Sequence, residues 1–158
     1  MVSSNERNAT VSRRVLRGFD PARLTSLRES RGMSRADLAR KSGLGGATVQ
    51  QWEAGTRSPQ VDTLALVAKT LGLPISELVD VPRDQRFPGD WRVLLGLTQP
   101  QLGQQVGIST SMIARIERGE VKLTDENARR LATALEIGVD ELVRSYERAR
   151  DRPAGVQA

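Results

Sequence analysis

The 158-residue sequence contains no cysteine and no histidine. These absences exclude disulfide bonds, zinc fingers and any catalytic mechanism that needs a cysteine nucleophile or a histidine base. Aromatic residues make up only 3% of the chain, so a hydrophobic core must consist mainly of leucine, valine, isoleucine and alanine. Such a composition favours small helical domains.

Long apolar runs are also absent. No segment approaches the roughly 18 consecutive apolar residues of a transmembrane helix, and the N-terminus lacks the apolar stretch of a signal peptide. No glycine-rich phosphate loop follows a predicted strand, and no acidic cluster has the spacing of a calcium-binding loop. We therefore expect a cytoplasmic protein that is not an enzyme, binds no membrane and needs no metal or cofactor.

The charge of the chain is positive but unevenly distributed. The formal net charge is +5, and residues 1–19 carry four arginines against one glutamate. Residues 20–80 have eight basic and seven acidic residues, whereas residues 84–145 have eight and nine. A polyanionic partner would therefore bind a localised basic face together with the N-terminal arm, in which Arg13, Arg14 and Arg17 are clustered.

The dominant feature of the sequence is an internal repeat with a shift of 64 residues. The match runs without a gap from Gly32 to Val79 and indicates two copies of one small fold. Since about three units are needed for a shared solenoid core, two copies predict two domains in tandem. The identical pairs include Gly32/Gly96, Leu38/Leu102, Gly43/Gly107, Glu53/Glu117, Gly55/Gly119, Ala68/Ala132 and Leu71/Leu135.

The sequence of each copy predicts a series of short helices. In the first copy, Asp20–Pro21 predicts an N-cap followed by a first-turn proline, and Ser34 with Asp37 predicts a capping box. A third helix is expected at about residues 46–54. A fourth carries apolar residues at helical spacing over 64–71, and a short fifth is expected at 75–79.

The second copy repeats these signals with local differences. Thr98 with Gln101 predicts a capping box, and Ser109 is a better N-cap than its counterpart Gly45. Its first helix is expected to be the weakest element, two turns long, because Phe87-Pro88-Gly89 delays its start. The expected organisation is a disordered basic arm at 1–17, a first domain at 18–80, a linker at 81–87, a second domain with an extended C-terminal helix at 88–151, and a disordered tail at 152–158.

Two strings carry a resemblance to a known family. Residues 34–59 read SRADLARKSGLGGATVQQWEAGTRSP, and residues 98–120 read TQPQLGQQVGISTSMIARIERGE. Both copies resemble the Cro/lambda-repressor-type (Xre-like) helix-turn-helix family. The resemblance implies an all-α fold of two tandem five-helix lambda-repressor-like DNA-binding domains. It also implies double-stranded DNA as the partner, so that the protein would be associated with the nucleoid when bound.

The resemblance also implies which residues contact DNA. The start of the second helix corresponds to Arg35 and Gln99, and the loop after the third helix corresponds to Arg57 and Lys122. Glutamine suits adenine, arginine suits guanine, and a thioether can pack on the thymine methyl group. The groove-facing positions of the third helices correspond to Ala47, Thr48, Gln50 and Gln51, and to Thr110, Ser111, Met112 and Arg115.

Four features have a simpler structural interpretation. Trp52 is expected in the core because its repeat partner is Ile116. Glu53 and Glu117 are expected to pair with arginine or to accept helix-end N–H groups rather than to catalyse a reaction. Met112 is expected either to contact thymine or to fill a gap. Gly45-Gly46 predicts a third helix that starts without a side-chain cap.

The residues expected to contact bases differ between the two copies. We therefore expect one chain to bind an asymmetric operator, with two dissimilar half-sites. The linker over residues 80–89 reaches at most about 33–36 Å, enough to place two domains on successive major grooves about 34–36 Å apart. Two alternatives remain. The apolar stripe Leu142, Tyr146 and Ala149 could cover the second domain or pair with another chain as a homodimer. The protein could also be an antitoxin-like or adaptor protein whose second domain and C-terminal helix bind a protein partner.

Overall fold

The structure, a computed structural model, describes residues 16–158. Within this range all regular secondary structure is helical, and one isolated β-bridge joins two loop segments. The helices are α1 (Pro21–Ser30), α2 (Arg35–Lys41), α3 (Thr48–Glu53), α4 (Val61–Leu71), α5 (Pro88–Leu94), α6 (Gln99–Val106), α7 (Thr110–Glu117), α8 (Asp125–Ala134) and α9 (Val139–Arg150). Two short 3-10 helices lie at Ile75–Glu77 and Arg83–Gln85. The predicted all-α class is confirmed.

The predicted helix starts follow from side-chain caps. The Asp20 carboxylate accepts a hydrogen bond from the backbone N–H of Ala22 at 2.9 Å, and Pro21 occupies the first turn of α1. Reciprocal capping boxes open α2 through Ser34 and α6 through Thr98. These caps satisfy N–H groups that have no partner within the helix, which explains why the chain becomes helical at these points.

Two local expectations need correction. The third helix of the first copy begins at Thr48 instead of near Gly46, and it lacks a side-chain cap as predicted. The segment Phe87-Pro88-Gly89 does not delay α5, because Pro88 is its first residue and the Asp90 carboxylate accepts the Phe87 N–H at 2.8 Å. The predicted length of two turns is confirmed, with seven residues in α5.

The fifth element of the first copy is one turn of 3-10 helix, Ile75–Glu77, rather than a helix reaching Val79. Val79 instead forms an antiparallel bridge with Phe19. The Asp80 N–H donates to the Gly18 carbonyl at 2.9 Å. Pairing with this earlier segment holds the backbone extended where a helix would otherwise continue.

Each repeat has its own hydrophobic core. The first is built around Leu24, Leu38, Val49, Leu64 and Val67, all fully buried. Trp52 is 3% exposed and belongs to this core, which confirms its structural interpretation. The second core is built around Trp91, Leu102, Ile113, Ile116, Leu131 and Leu142.

Helix α5 packs against both repeats. Trp91 belongs to the second core, whereas Val93 is buried in the first. Just after the helix, a Cβ placed on Gly96 would lie 3.2 Å from side-chain atoms of both Ala65 and Ile75. The two repeats are therefore in direct contact, and the first helix of the second repeat covers part of the first.

Residues 16–19, here called the N-terminal strap, add a second connection between the repeats. The Leu16 N–H donates to the Ser58 hydroxyl at 2.6 Å in the first repeat. The Arg17 guanidinium donates to the Asp90 carboxylate at 2.5 Å in the second repeat, and it stacks over the Phe87 ring. Of the basic cluster, Arg13 and Arg14 lie outside the described residues, and Arg17 is engaged in this ion pair.

Gly18 shows how tightly the strap is seated. Its φ angle is +79°, in the left-handed region that favours glycine. A Cβ on Gly18 would lie 2.7 Å from the Asp80 carbonyl oxygen and 2.7 Å from a Val81 methyl group. Only glycine therefore fits this position without displacing the neighbouring chain.

Helix α9 covers the second repeat with its apolar stripe. Leu142, Tyr146 and Ala149 are buried, and the Tyr146 hydroxyl donates to the Val121 carbonyl at 2.6 Å. The stripe that could have paired with another chain is thus occupied within this one. The segment assigned to the linker also contacts α9, since Arg83 makes a bidentate pair with Glu141 at 2.6 and 2.7 Å.

Arg152, in the expected tail, contacts the ends of two helices. Its guanidinium donates to the Arg118 carbonyl at 2.6 Å and to the Ala149 carbonyl. In residues 16–158, no helix has the length and apolar character needed to cross a bilayer. The same residues contain no cluster of three or more carboxylates that could hold a metal ion.

Candidate nucleic-acid interface

Each repeat contains two successive short helices joined by a tight turn, with the second helix exposed along one side. In the first repeat these helices are α2 and α3, and in the second they are α6 and α7. Val49 and Trp52 on α3 point into the core, as do Ile113 and Ile116 on α7. Most of the other side chains of α3 and α7 face away from the protein interior, but the carboxylates of Glu53 and Glu117 are also buried.

The predicted contact residues lie on or next to these outward faces, at the starts of α2 and α6, and in the loops after α3 and α7. Exposed positions are Arg35, Ala47, Gln50, Arg57, Thr110, Ser111, Arg115 and Lys122. Half-buried positions are Thr48, Gln51, Gln99 and Met112. Met112 packs against the second core. This position favours the interpretation that Met112 fills a gap in the core over the interpretation that it contacts thymine. The other side chains remain accessible to a ligand.

Helices α3 and α7 are each tied to the first helix of their repeat by a buried ion pair. Arg28 Nε donates to Glu53 Oε1 at 2.5 Å, and Arg92 Nε donates to Glu117 Oε1 at 2.6 Å. In each pair a second guanidinium nitrogen also reaches the carboxylate, at 3.2 and 3.1 Å. The expected arginine pairing of the two glutamates is confirmed.

The same guanidinium groups also fix the loop before the second helix. Arg28 Nη1 donates to the Met33 carbonyl at 2.7 Å, and Arg92 Nη1 donates to the Leu97 carbonyl at 2.8 Å. Each arginine thus joins three segments of its repeat. Sequence reasoning missed both arginines, although Arg28 and Arg92 are identical at the shift of 64 residues.

The protonation of the first pair follows from its partners. Burial alone would raise the pKa of Glu53, but hydrogen bonds and charge from Arg28 and Arg35 outweigh it and lower the pKa below its ordinary value. The hydrogen bond to Glu53 raises the pKa of Arg28. The pair is therefore ionised at neutral pH and serves to position α3 rather than to transfer protons.

Arg35 and Gln99, the first residues of α2 and α6, are positioned by the same glutamates. Arg35 Nε donates to Glu53 Oε2 at 2.6 Å, and Gln99 Nε2 donates to Glu117 Oε2 at 2.8 Å. Within residues 16–158, the two Nη groups of Arg35 have no hydrogen-bond partner. Each residue thus uses one donor to fix its orientation and keeps polar atoms that face outward.

Three cationic side chains of the interface form no ion pair within the described part of the chain. Arg57 and Lys122 lie in the loops after α3 and α7, and Arg115 projects from α7. All three are exposed. Accessible cations beside hydroxyl and amide side chains can bind phosphate oxygens or guanine edges.

The architecture defines a class of protein, because paired helix-turn-helix units are the arrangement of DNA-binding transcriptional regulators. The family model described as "Helix-turn-helix" matches residues 24–78 and 90–142. The chain therefore belongs to the helix-turn-helix family, as the resemblance implied, and is a DNA-binding transcriptional regulator.

A curated relative supports the same class. Over 104 residues the chain is 26% identical to the cryptic phage CTXphi transcriptional repressor RstR of Vibrio cholerae. The alignment covers 64% of this chain and 94% of that repressor. No solved structure matches the chain significantly.

Proposed function

We propose that this protein is a sequence-specific repressor that inserts α3 and α7 into the major groove of double-stranded DNA. The observation that carries the proposal is the outward face of each recognition helix. Its polar and cationic side chains are accessible, while the buried Arg–Glu pair holds the helix from behind. Accessible base readers on a fixed helix are what direct readout needs.

The side chains suggest different base preferences for the two helices. Gln50 and Gln51 on α3 suit the adenine edge, whereas Arg115 on α7 suits guanine N7 and O6. Arg57 and Lys122 would contact phosphates, and Arg35 would add a charge beside α3. Each good bidentate base contact would discriminate by roughly 1–3 kcal/mol. The preferred half-sites should therefore be dissimilar.

The direct packing of the repeats supports binding as a single unit. Val93 in the first core and the Arg17–Asp90 pair both restrain the relative position of the two domains. A chain with restrained readers should prefer one spacing between half-sites rather than tolerate many. We propose an asymmetric operator of fixed spacing, bound by one chain.

Selection from random duplex DNA tests this proposal, with footprinting at two salt concentrations to separate phosphate contacts from base contacts. The expected result is one asymmetric motif with a constant gap. A palindrome would indicate that two chains bind together. Failure to enrich any motif would show that the chain does not read DNA sequence.

Two variants, measured separately, test whether both repeats read DNA. Gln50→Ala/Gln51→Ala and Arg115→Ala should each weaken operator binding by about tenfold or more, since each removes a specific base contact. The preference for particular bases should weaken only in the half-site that the altered helix contacts. If Arg115→Ala binds normally while the double variant does not, the second repeat is not a reader.

A non-reading second repeat would favour the antitoxin-like or adaptor alternative. Two observations support the reader role instead. Helix α7 has eight residues with a Ser109 cap, and its Arg115 is exposed without an ion pair in the described residues.

A further inference from the structure

An open cleft of about 1160 Å³ lies between the two repeats. One wall comes from α3, the loop after it and the start of α4. The other wall comes from the beginnings of α5 and α6 and from the end of α7. The polar lining residues used below are Thr48, Arg57 and Gln60 on the first wall, and Gln99 and Arg118 on the second.

The cleft collects interface residues that belong to different repeats. Thr48 and Arg57 are predicted contacts of the first repeat, and Gln99 is a predicted contact of the second. The tertiary arrangement thus brings the edges of two separate recognition surfaces to one depression. Neither repeat alone could form it.

One arginine of the lining is available to an anion. Four arginines and two acidic side chains line the cleft, and so do the last two residues, Gln157 and Ala158. Three of the arginines are already paired: Arg17 with Asp90, Arg92 with Glu117, and Arg118 with Glu120. Arg57 has no such partner in the described residues, which leaves a positive charge at the first wall.

The size and openness of the cleft suit a polymer better than a small molecule. Small-molecule pockets enclose roughly 300–1,000 Å³. This cleft is larger and open to solvent, and its lining combines apolar side chains such as Trp52 and Val93 with hydroxyl, amide and guanidinium groups. These groups are the ones that proteins use to contact phosphates and sugars.

We propose that the cleft receives the sugar-phosphate backbone of one strand, so that both repeats contact a single uninterrupted stretch of duplex. The proposal rests on the DNA-binding function argued above, and it adds Gln60 as a backbone contact. The strap maintains the cleft, because Leu16 and Arg17 lie in its lining and bond to opposite repeats. The walls are therefore held at a set separation.

Two substitutions test the proposal by adding a negative charge to opposite walls. Gln60→Glu changes the residue that precedes α4, and Pro100→Glu changes the first turn of α6. Both side chains are exposed, and an acidic group near a helix N-terminus is compatible with folding. Gln104→Glu is the matched control, since Gln104 is exposed on α6 and does not line the cleft.

The readout is affinity for the selected operator as a function of salt. Gln60→Glu and Pro100→Glu should each weaken binding by about five- to tenfold at low salt, and the loss should shrink as salt rises. Gln104→Glu should change affinity less than twofold. Gln60→Lys should steepen the salt dependence by about 0.9 in log–log slope, as expected for one more neutralised phosphate.

Hydroxyl-radical footprinting gives an independent readout. The expected pattern is continuous protection of one strand between the two major-groove contacts. An unprotected gap there would overturn the proposal, as would equal effects of the three glutamate variants. If those results occur while Gln50→Ala/Gln51→Ala still abolishes binding, the cleft proposal fails and the proposed function stands. If no recognition-helix variant affects binding, the proposed function itself fails.

Discussion

The first repeat presents a short, uncapped helix, α3, whereas its counterpart in the second repeat, α7, is longer and capped. Helix α3 has six residues and no side-chain cap, and α7 has eight residues with a hydrogen bond from the Met112 N–H to the Ser109 hydroxyl. Behind both helices, the same Arg–Glu pair has nearly the same geometry. A duplicated domain can thus keep its buried supports while its exposed surface diverges.

The repeats also differ in what covers their last element. In the first, the 3-10 turn Ile75–Glu77 meets α5 of the second repeat, with Gly96 against Ile75. In the second, the twelve-residue α9 covers its own domain. The last element of the first repeat is therefore covered by the neighbouring repeat, whereas the last helix of the second packs on its own domain.

The largest expected effect is the loss of either buried glutamate. Glu53→Ala and Glu117→Ala should each destabilise the protein by about 3–5 kcal/mol, because a buried arginine loses its partner. Chemical denaturation measures the loss. Near-equal losses would confirm that the two pairs have the same structural role. A loss below about 1 kcal/mol at one site would show that the two supports are not equivalent.

Gly55 and Gly119 form a matched pair with the same left-handed backbone, at φ +70° in each. A Cβ on Gly55 would meet nothing within 4 Å, but one on Gly119 would lie 2.5 Å from the Arg150 Cα. Gly55→Ala should lower the free energy of unfolding by about 1–2 kcal/mol, because alanine disfavours the left-handed backbone conformation. Gly119→Ala should cost a further 1–3 kcal/mol or so, because α9 must move.

The two alanine variants are compared by thermal and chemical unfolding. Equal losses would contradict the tight contact between α9 and the end of α7. A larger loss at Gly119 accompanied by weaker operator binding would indicate that α9 also helps to position the recognition helix.

Ser109→Ala should remove the side-chain cap of α7, so that α7 begins without a cap as α3 does. The loss of the cap should cost about 1 kcal/mol of stability, which is typical for serine N-caps. Operator affinity should fall by a few-fold, since part of the binding energy would be used to order the helix start. Thermal unfolding together with operator titration measures both effects. An unchanged stability would show that the cap does not contribute.

The smallest expected effect is a difference between Glu53 and Asp90 in how their contributions to stability change with pH. Because the pKa of Glu53 is lowered in the folded state, its stabilisation is present above the ordinary value of 4.5 and is lost as the pH falls. Burial raises the pKa of Asp90, only partly offset by the Phe87 N–H and Arg17. Its contribution to stability therefore falls as the pH rises from 3.8 through the raised pKa.

Denaturation of the Glu53→Gln and Asp90→Asn variants across pH 3–7 tests this difference. Relative to wild type, Glu53→Gln should be least stable at the upper end of the range. Asp90→Asn should instead gain relative stability as the pH rises. Parallel curves for the two variants would contradict the opposite pKa directions.

Local signals predicted most of the fold. Asp20, Ser34, Thr98 and Ser109 mark helix starts because their side chains bond to nearby N–H groups, which depends only on neighbouring residues. The repeat also predicted the core position of Trp52 and the arginine pairing of the glutamates. The identity of the pairing arginines was missed, because Arg28 and Glu53 are 25 residues apart.

The sequence by itself determined the all-α class, the duplication, and which positions of α3 and α7 are buried or face outward. These properties follow from helical periodicity, capping and comparison of the copies. The tertiary structure decided that α5 packs on both repeats, that the strap bonds to each, and that α9 covers its own domain. Periodicity shows which side of a helix is apolar, but the surface that covers it depends on distant residues and on the complementarity of their shapes.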